Sequence, residues 1–184
     1  METPNSMNPQ DTAAQWLAEE EAMLSRLTRG TGLARPEDVA GMSGIEMLEA
    51  MIAGKLPRAP MSETLDFMLI RIEPGIAIFQ GRPHFKHYNP LGSVHGGWFA
   101  TVLDSAMGCA VQSTLPAGKG YTTMEFKVNL VRALTEAIPV VRAEGKIVHS
   151  GRSSATAEAR LFGPDGKLYA HASTTCLVFD RPAG

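Results

Sequence analysis

The residues best able to do chemistry lie in one stretch of the chain, residues 89–108, where a polar loop becomes an almost entirely apolar helix. A His-Gly-Gly triplet at residues 95–97 marks the junction. Gly96 would lie at the helix N-terminus, where free backbone N–H groups and the helix dipole favour negative charge. Asp104 is the only charged side chain in the apolar segment that follows, and desolvation would raise its pKa and make it a better base. The stretch therefore offers an anion-stabilising donor and a general base.

Hydrophobic periodicity predicts the elements that must position these groups. Two amphipathic helices are predicted over residues 11–29 and 36–54, and a proline-containing linker follows them. Alternating segments then predict two strands before the long helix, residues 94–115, and four strands after it. The economical arrangement is an α+β fold in which a curved antiparallel sheet wraps around one long central helix. Residues 1–60 are expected to form an N-terminal helical extension and linker, and residues 61–184 the main domain.

This order of elements resembles the hotdog fold. An Asn-x-x-Gly-x-x-His-Gly-Gly motif occupies residues 89–97, Asp104 follows nine residues after its histidine, and Thr123 opens the next strand. This set resembles the phenylacetic-acid-degradation (PaaI-type) acyl-CoA thioesterases, which implies that residues 61–184 form a hotdog thioesterase domain. A Gly-Arg pair at residues 151–152 and an Asp-Gly turn at residues 165–166 also match that family's pattern. The resemblance implies hydrolysis of acyl-CoA thioesters without a metal or a cofactor.

The resemblance also implies a role for each motif residue. Gly96 would offer its backbone N–H to the oxyanion. Asp104 would be the general base, or alternatively a nucleophile that forms an anhydride. Asn89 would orient the thioester carbonyl or the attacking water, and Thr123 would hold that water or the Asp104 carboxylate. His95 would have a structural or substrate-positioning role.

The resemblance covers roughly residues 61–180, so it assigns no function to the N-terminal helices, which are candidates for shaping the acyl pocket. Gly97 and Arg152 are further candidates for substrate binding, with Arg152 directed to the phosphates of CoA. Met51 and the other methionines of the second predicted helix are interpreted as core packing, although pocket lining is an alternative.

The spacing of the donor and the base predicts a dimer. Gly96 and Asp104 lie eight residues apart, which is roughly 12 Å along an α-helix. A donor and a base that act on one carbonyl group should both reach it, either directly or through one water molecule. Two antiparallel helices related by a twofold axis would satisfy this. We therefore expect a homodimer with shared sites, in which Asn89, His95 and Gly96 face Asp104 and Thr123 of the other subunit. Dimers of this family often pair again into tetramers.

The bulk properties argue against several other classes of protein. The net charge of −2 gives no sign of nucleic-acid binding, and no apolar run is long enough for a membrane span. The first residues lack the order of a signal peptide, so a cytoplasmic protein is expected. Cys109 and Cys176 are interpreted as buried free thiols. His84 and His87 are interpreted as solvated loop residues and not as metal ligands.

Two other functions compete with thioester hydrolysis. A non-catalytic hotdog module could bind acyl-CoA, although the presence of both Asn89 and Asp104 argues against it. A hotdog hydratase or dehydratase would need a paired histidine and acid, which His95 and Asp104 do not obviously provide. Asp104 could also be a structural carboxylate. Thr123 falls on the polar side of its strand, which fits an interface or solvent equally well.

Overall fold

The structure is a computed structural model that describes residues 8–181. It contains a six-stranded sheet, one long helix packed on the sheet, and four shorter α-helices that precede the sheet in the chain. The first residues, on which the expectation about a signal peptide depends, lie outside this range. The first four helices are α1 (Pro9–Leu24), α2 (Pro36–Val39), α3 (Gly44–Ile52) and α4 (Pro60–Thr64). The remaining elements are β1 (Phe67–Glu73), β2 (Ile76–Gly81), a short 3-10 helix (Phe85–His87), α5 (Gly96–Gln112), β3 (Lys119–Leu130), β4 (Val141–Ser150), β5 (Ser154–Phe162) and β6 (Leu168–Asp180).

The sheet is antiparallel throughout, with the strand order β1-β2-β4-β5-β6-β3, and α5 packs against one face of it. This arrangement confirms the predicted α+β class and the hotdog fold. α5 presents to the sheet a set of side chains with no exposed surface: Val102, Leu103, Ala106, Met107, Ala110 and Val111. Among residues 8–181, no helix is both long enough and apolar enough to cross a lipid bilayer.

Small residues let the sheet approach the helix closely. Ala155, Ala157 and Ala159 alternate along β5 and are at most 2% exposed. Gly145 of β4 lies directly against the helix backbone, where an added Cβ would come within 2.2 Å of the Ala106 carbonyl oxygen. Because that neighbour is backbone, it cannot move aside as a flexible side chain could. The curvature of the sheet around α5 therefore depends on the missing side chain at Gly145.

A polar network attaches the N-terminal extension to the face of the sheet opposite α5. Phe79 belongs to the core with α5, so its neighbour Gln80 faces the other side of the sheet. Gln80 is only 1% exposed and donates to the Trp16 carbonyl at 3.0 Å and to Glu20 at 2.5 Å. Arg142 donates to the Gln80 Oε1 at 2.9 Å and lies 4.4 Å from the Trp16 ring centroid. This network fixes α1 to β2 and β4.

A second attachment lies beside the end of α5. The Gly44 N–H donates to the Leu115 carbonyl at 2.9 Å, and a Cβ at Gly44 would lie 1.7 Å from the Gln112 carbonyl oxygen. The predicted second helix is in fact divided into α2 and α3, since Gly41 between them has a φ of +74° that helical residues do not adopt. The extension therefore wraps from one face of the sheet to the other.

We predict that Gly145→Ala destabilises the fold, because the new Cβ would overlap the α5 backbone. Overpacking of this kind should lower the free energy of unfolding by about 1–3 kcal/mol. Urea denaturation would measure it. Gly30→Ala is the matched control, since nothing lies within 4 Å of a Cβ there. Equal stability of the two variants would contradict the close contact.

Candidate active site

Asn89 stabilises the conformation of the loop that precedes α5. Its Oδ1 accepts the Leu91 N–H at 2.8 Å, and its Nδ2 donates to the Ser93 Oγ at 3.2 Å. The Asn89 backbone N–H also donates to the Ser93 carbonyl at 2.8 Å. Side-chain bonds of this kind to nearby backbone stabilise a turn. Asn89 is half-buried and fixes the path of the chain that leads into the helix.

The prediction that both loop histidines are solvated is wrong for His87. Its side chain is 2% exposed and stacks on the Trp98 ring at 5.7 Å between centroids. Its Nδ1 accepts the His84 N–H at 3.1 Å, and its Nε2 lies 3.4 Å from the Asp66 Oδ2. Burial lowers the pKa of His87, and the charge of Asp66 opposes part of that change. The His87 carbonyl accepts the His95 N–H at 2.8 Å, so the buried ring anchors the loop to the helix start.

The N-terminus of α5 presents one free backbone donor. His95 is the N-cap, and its Nδ1 accepts the Gly97 N–H at 2.9 Å. The Gly96 N–H, in contrast, has no hydrogen-bond partner within the described residues. A Cβ at Gly96 would meet only the Leu130 Cδ1, at 3.2 Å. The Gly96 N–H is therefore the available donor at this helix end. Gly97 is exposed and without a side chain, so a ligand could approach its backbone closely, but its N–H is already bonded to His95.

Asp104 and Thr123 meet within one protomer, where Thr123 Oγ1 donates to Asp104 Oδ1 at 3.1 Å. The expectation that Thr123 lies on the polar side of its strand is wrong. A bulge between Thr123 and Glu125 shifts the alternation by one residue. Thr123 thus pairs with the fully buried Cys176 and shares the helix-facing side of β3 with Phe126.

Asp104 is a partly desolvated carboxyl group whose affinity for a proton is raised. Burial raises its pKa, and the hydrogen bond from Thr123 opposes part of the rise. Burial also raises the pKa of Cys109, one turn further along α5, to about 12. The Tyr121 hydroxyl packs against Gly108, and burial raises its pKa well above the usual value. The Cys109 thiol therefore keeps its proton near neutral pH and is a poor nucleophile.

Asp104 opens onto a cavity of about 260 Å³, here called the Asp104 cavity. Its walls come from α5, β1, β2 and β3 and from the N-terminal extension. Met51 lines it and also packs against the hydrophobic core, so both interpretations of this methionine hold. Tyr121 lines it as well and was not among the predicted site residues. Its position two residues before Thr123, on the same side of β3, is a signal that could have identified it.

The candidate residues do not all meet within one protomer. Gly96 and Asp104 lie on one continuous helix, so they are separated by roughly 12 Å. Arg152 is exposed in the turn between β4 and β5. This turn lies beyond the C-terminal end of α5, where Thr114 Oγ1 is 3.1 Å from Ser150 Oγ. Because Thr114 follows Asp104 by ten residues, the turn is roughly 15 Å from Asp104 along the helix direction. Within residues 8–181, no three His, Cys, Asp or Glu side chains are grouped as metal ligands. Both cysteines are free thiols.

A family model described as the thioesterase superfamily matches residues 91–170 of the chain. This range contains residues 95–97, Asp104, Thr123 and Arg152, and it begins just after Asn89. No curated protein matches the chain.

Several solved structures share the fold. A thioesterase family protein from Silicibacter pomeroyi is 24% identical with a TM-score of 0.66, over 76% of this chain and 100% of that one. A phenylacetic acid degradation-related protein from Ralstonia eutropha is 24% identical with a TM-score of 0.65, over 71% and 98%. A mutant of the phenylacetic acid degradation protein PaaI from Thermus thermophilus is 25% identical with a TM-score of 0.58, over 64% and 97%. With the family model, these neighbours confirm the resemblance: residues 91–170 match the thioesterase superfamily, and the chain is similar in fold to PaaI-type hotdog proteins.

Proposed function

We propose that this protein is an acyl-CoA thioesterase whose base is Asp104. The observation that carries the proposal is a half-buried carboxylate that is hydrogen-bonded to Thr123 and opens onto a largely apolar cavity. A carboxylate with a raised pKa is a better base near neutral pH than an exposed one. The cavity beside it would receive the acyl group of a thioester.

In the proposed reaction Asp104 removes a proton from a water molecule held with the help of Thr123. The water oxygen forms a bond to the thioester carbon, and the carbonyl oxygen becomes an oxyanion that accepts the Gly96 N–H. The C–S bond then breaks, the CoA sulfur takes up a proton, and the free acid is released. The proposed reaction uses water as its co-substrate and no metal or cofactor. A nucleophilic Asp104 would instead attack the thioester carbon itself, expel the CoA thiolate and form an anhydride that water then hydrolyses.

We propose further that the Gly96 donor comes from the partner subunit. Two features of the protomer support a second copy beside α5. Thr101 and Ser105 flank Asp104 on the side of the helix that the protomer's own sheet leaves partly uncovered. Phe126 and Leu130 lie on the helix-facing side of β3, yet they are 41% and 54% exposed. An antiparallel α5 from a partner would cover this surface.

The strand β3 offers a second reason to expect a partner. It is an edge strand of 12 residues, with β6 as its neighbour on one side in the sheet. Long edge strands with free backbone groups and exposed apolar side chains favour pairing with another chain. The other edge strand, β1, has α3 and α4 packed beside it. A homodimer formed along β3 and α5 would place each Asp104 near a partner helix N-terminus.

The remaining candidate residues have supporting roles in this proposal. Asn89 shapes the loop, and His95 caps the helix and thereby directs the free Gly96 N–H toward the partner. Gly97 gives the substrate room at the same helix end. Arg152, which is exposed, would contact CoA phosphates at the protein surface, away from the reacting carbonyl.

We predict that the protein releases free thiol from acyl-CoA, measured with a thiol-reactive chromogen, and that Asp104→Asn loses most of that turnover while remaining folded. Asparagine keeps the acceptor for Thr123 but cannot act as a base. Release of thiol at the wild-type rate by Asp104→Asn would remove Asp104 from the mechanism. A folded wild-type protein that binds CoA esters but releases no thiol would support the binding-module alternative.

We predict that Gly96→Pro lowers kcat by roughly 100- to 1000-fold, the usual cost of losing one oxyanion donor. Proline suits this position because it is the first residue of α5, its N–H is free, and His95 before it has extended backbone. Gly96→Ala is the matched control, since it adds a side chain but keeps the N–H. Comparable losses in both variants would show that bulk, and not the donor, is responsible.

The same variants test whether the sites are shared between subunits. Mixed Gly96→Pro and Asp104→Asn subunits should regain activity, because half of the sites in each heterodimer would contain an intact donor and an intact base. Confirmed subunit exchange without any recovery of thiol release would argue against shared sites.

We predict that Asp104→Asn is more stable than the wild type at neutral pH. The folded protein binds the Asp104 proton more tightly than the unfolded chain, so the stability that this group provides is present at low pH and is lost as the pH rises through its raised pKa. The advantage of Asp104→Asn should therefore shrink on acidification toward the ordinary aspartate pKa of about 3.9. Urea midpoints across this pH range would measure it.

Asp165→Asn is a control of opposite sign. A hydrogen bond from Lys167 lowers the pKa of Asp165, so its ionised form stabilises the fold above the ordinary pKa. Asp165→Asn should be less stable than the wild type near neutral pH, and the two should converge in acid. An identical pH dependence in both variants would contradict the assignment of a raised pKa to Asp104.

A further inference from the structure

The Asp104 cavity is built from two parts of the chain that are far apart in sequence. The hotdog elements supply Asp104 and aromatic side chains such as Phe67 and Phe79. The N-terminal extension supplies most of the wall that completes the cavity, through Met23, Leu27, Met51, Ile52 and Ala59, and Met61 of α4 adjoins it. Without these side chains, the space beside Asp104 would have no closing wall on this side.

The wall is held firmly in place. α1 is fixed to the sheet by the bonds from Gln80 to Trp16 and Glu20, and the start of α3 is fixed to the end of α5 by Gly44. Thr28, just after α1, also donates to the Gly54 carbonyl at 3.0 Å, which joins the two parts of the extension. A wall fixed in this way can exclude a ligand that is too large.

Part of the boundary of the Asp104 cavity is polar and charged. Arg58 and Ser62 line both the Asp104 cavity and a neighbouring cavity, which is also lined by Glu20, Glu63 and Asp66. An acyl chain that grew past the apolar wall would have to displace water from these charged groups, which is unfavourable. The boundary at Arg58 therefore sets a limit on chain length.

We propose that the N-terminal extension is the acyl-selecting wall of the active site and that the substrate carries an apolar acyl group of medium length. This inference rests on the proposed thioesterase function. An apolar cavity of about 150 Å³ holds benzene, so a cavity of 260 Å³ would take an acyl group of on the order of ten carbons. Two-carbon groups would leave the cavity mostly unfilled, and long fatty acyl groups would exceed it.

The solved neighbours agree with a wall that is particular to this chain. They are matched over 97–100% of their own lengths but cover only 64–76% of this chain. The remaining 24–36% of this chain has no counterpart in them, and the extension is the largest part that lies outside the hotdog elements. The acyl preference of such neighbours need not apply to this protein.

Binding to the Asp104→Asn variant tests the proposal without turnover. Calorimetric titration with butanoyl-, octanoyl- and hexadecanoyl-CoA should show affinity rising by up to about fourfold per methylene from butanoyl to octanoyl. It should show no further rise at hexadecanoyl. Affinity that is independent of chain length, or that rises throughout the series, would overturn the proposal.

Variants of the wall should move this limit in opposite directions. Met51→Ala enlarges the cavity and should shift the preferred acyl group to longer chains, whereas Ala59→Trp narrows it and should shift the preference to shorter ones. Leu33→Trp is the matched control, since Leu33 belongs to the extension but is 87% exposed and lies outside the cavity lining. Folded wall variants with an unchanged profile would refute the role of the extension.

A measurement that needs no wall variant covers the case in which a substitution prevents folding. With methyl-labelled methionine in Asp104→Asn, octanoyl-CoA should shift the NMR signals of Met23 and Met51, while Met42, which does not line the cavity, should stay unchanged. The outcomes separate the two proposals. Octanoyl binding at these methionines without wild-type thiol release would refute only the function, and thiol release without these shifts would refute only the wall.

Discussion

The structure depends on how one carboxylate is kept in a helix that is otherwise apolar. α5 buries Val102, Leu103 and Ala106 completely against the sheet. An ionised group on that side would be fully desolvated in the apolar core, which is energetically costly. Asp104 lies on the remaining side, where it is partly desolvated but still receives a hydrogen bond from Thr123. The bulge in β3, which turns Thr123 toward the helix, and the uncovered flank of α5 both contribute to this arrangement. Each keeps the carboxylate at the boundary between core and surface.

Sequence reasoning could predict the elements because their periodicity is strong. The long apolar segment with a single aspartate could only be a buried helix, and the alternating segments after it could only be strands. What it could not predict was the phase of β3. Thr123 was assigned to the polar side because one inserted residue reverses the sides of a strand, and a bulge leaves no clear signature in a single sequence.

The other differences arise from contacts between distant parts of the chain. His87 has the composition of a surface loop residue, and only the fold brings Trp98 and Asp66 against it. Met51 could be assigned to an apolar helix face, but whether that face meets a core or a cavity depends on how the extension docks. Propensity and spacing describe an element and its faces, while tertiary packing decides what each face contacts.

The division of the cavity lining between α5 and the extension affects how this protein can vary. A side chain such as Leu27 can change in size without disturbing the backbone of α5, the cap at His95 or the bond between Thr123 and Asp104. Substitutions at sites that share no partners have nearly additive effects. The dimensions of the cavity and the properties of its carboxylate can therefore diverge separately among descendants of this chain, so that the shape of the ligand site can be altered many times while α5 stays the same.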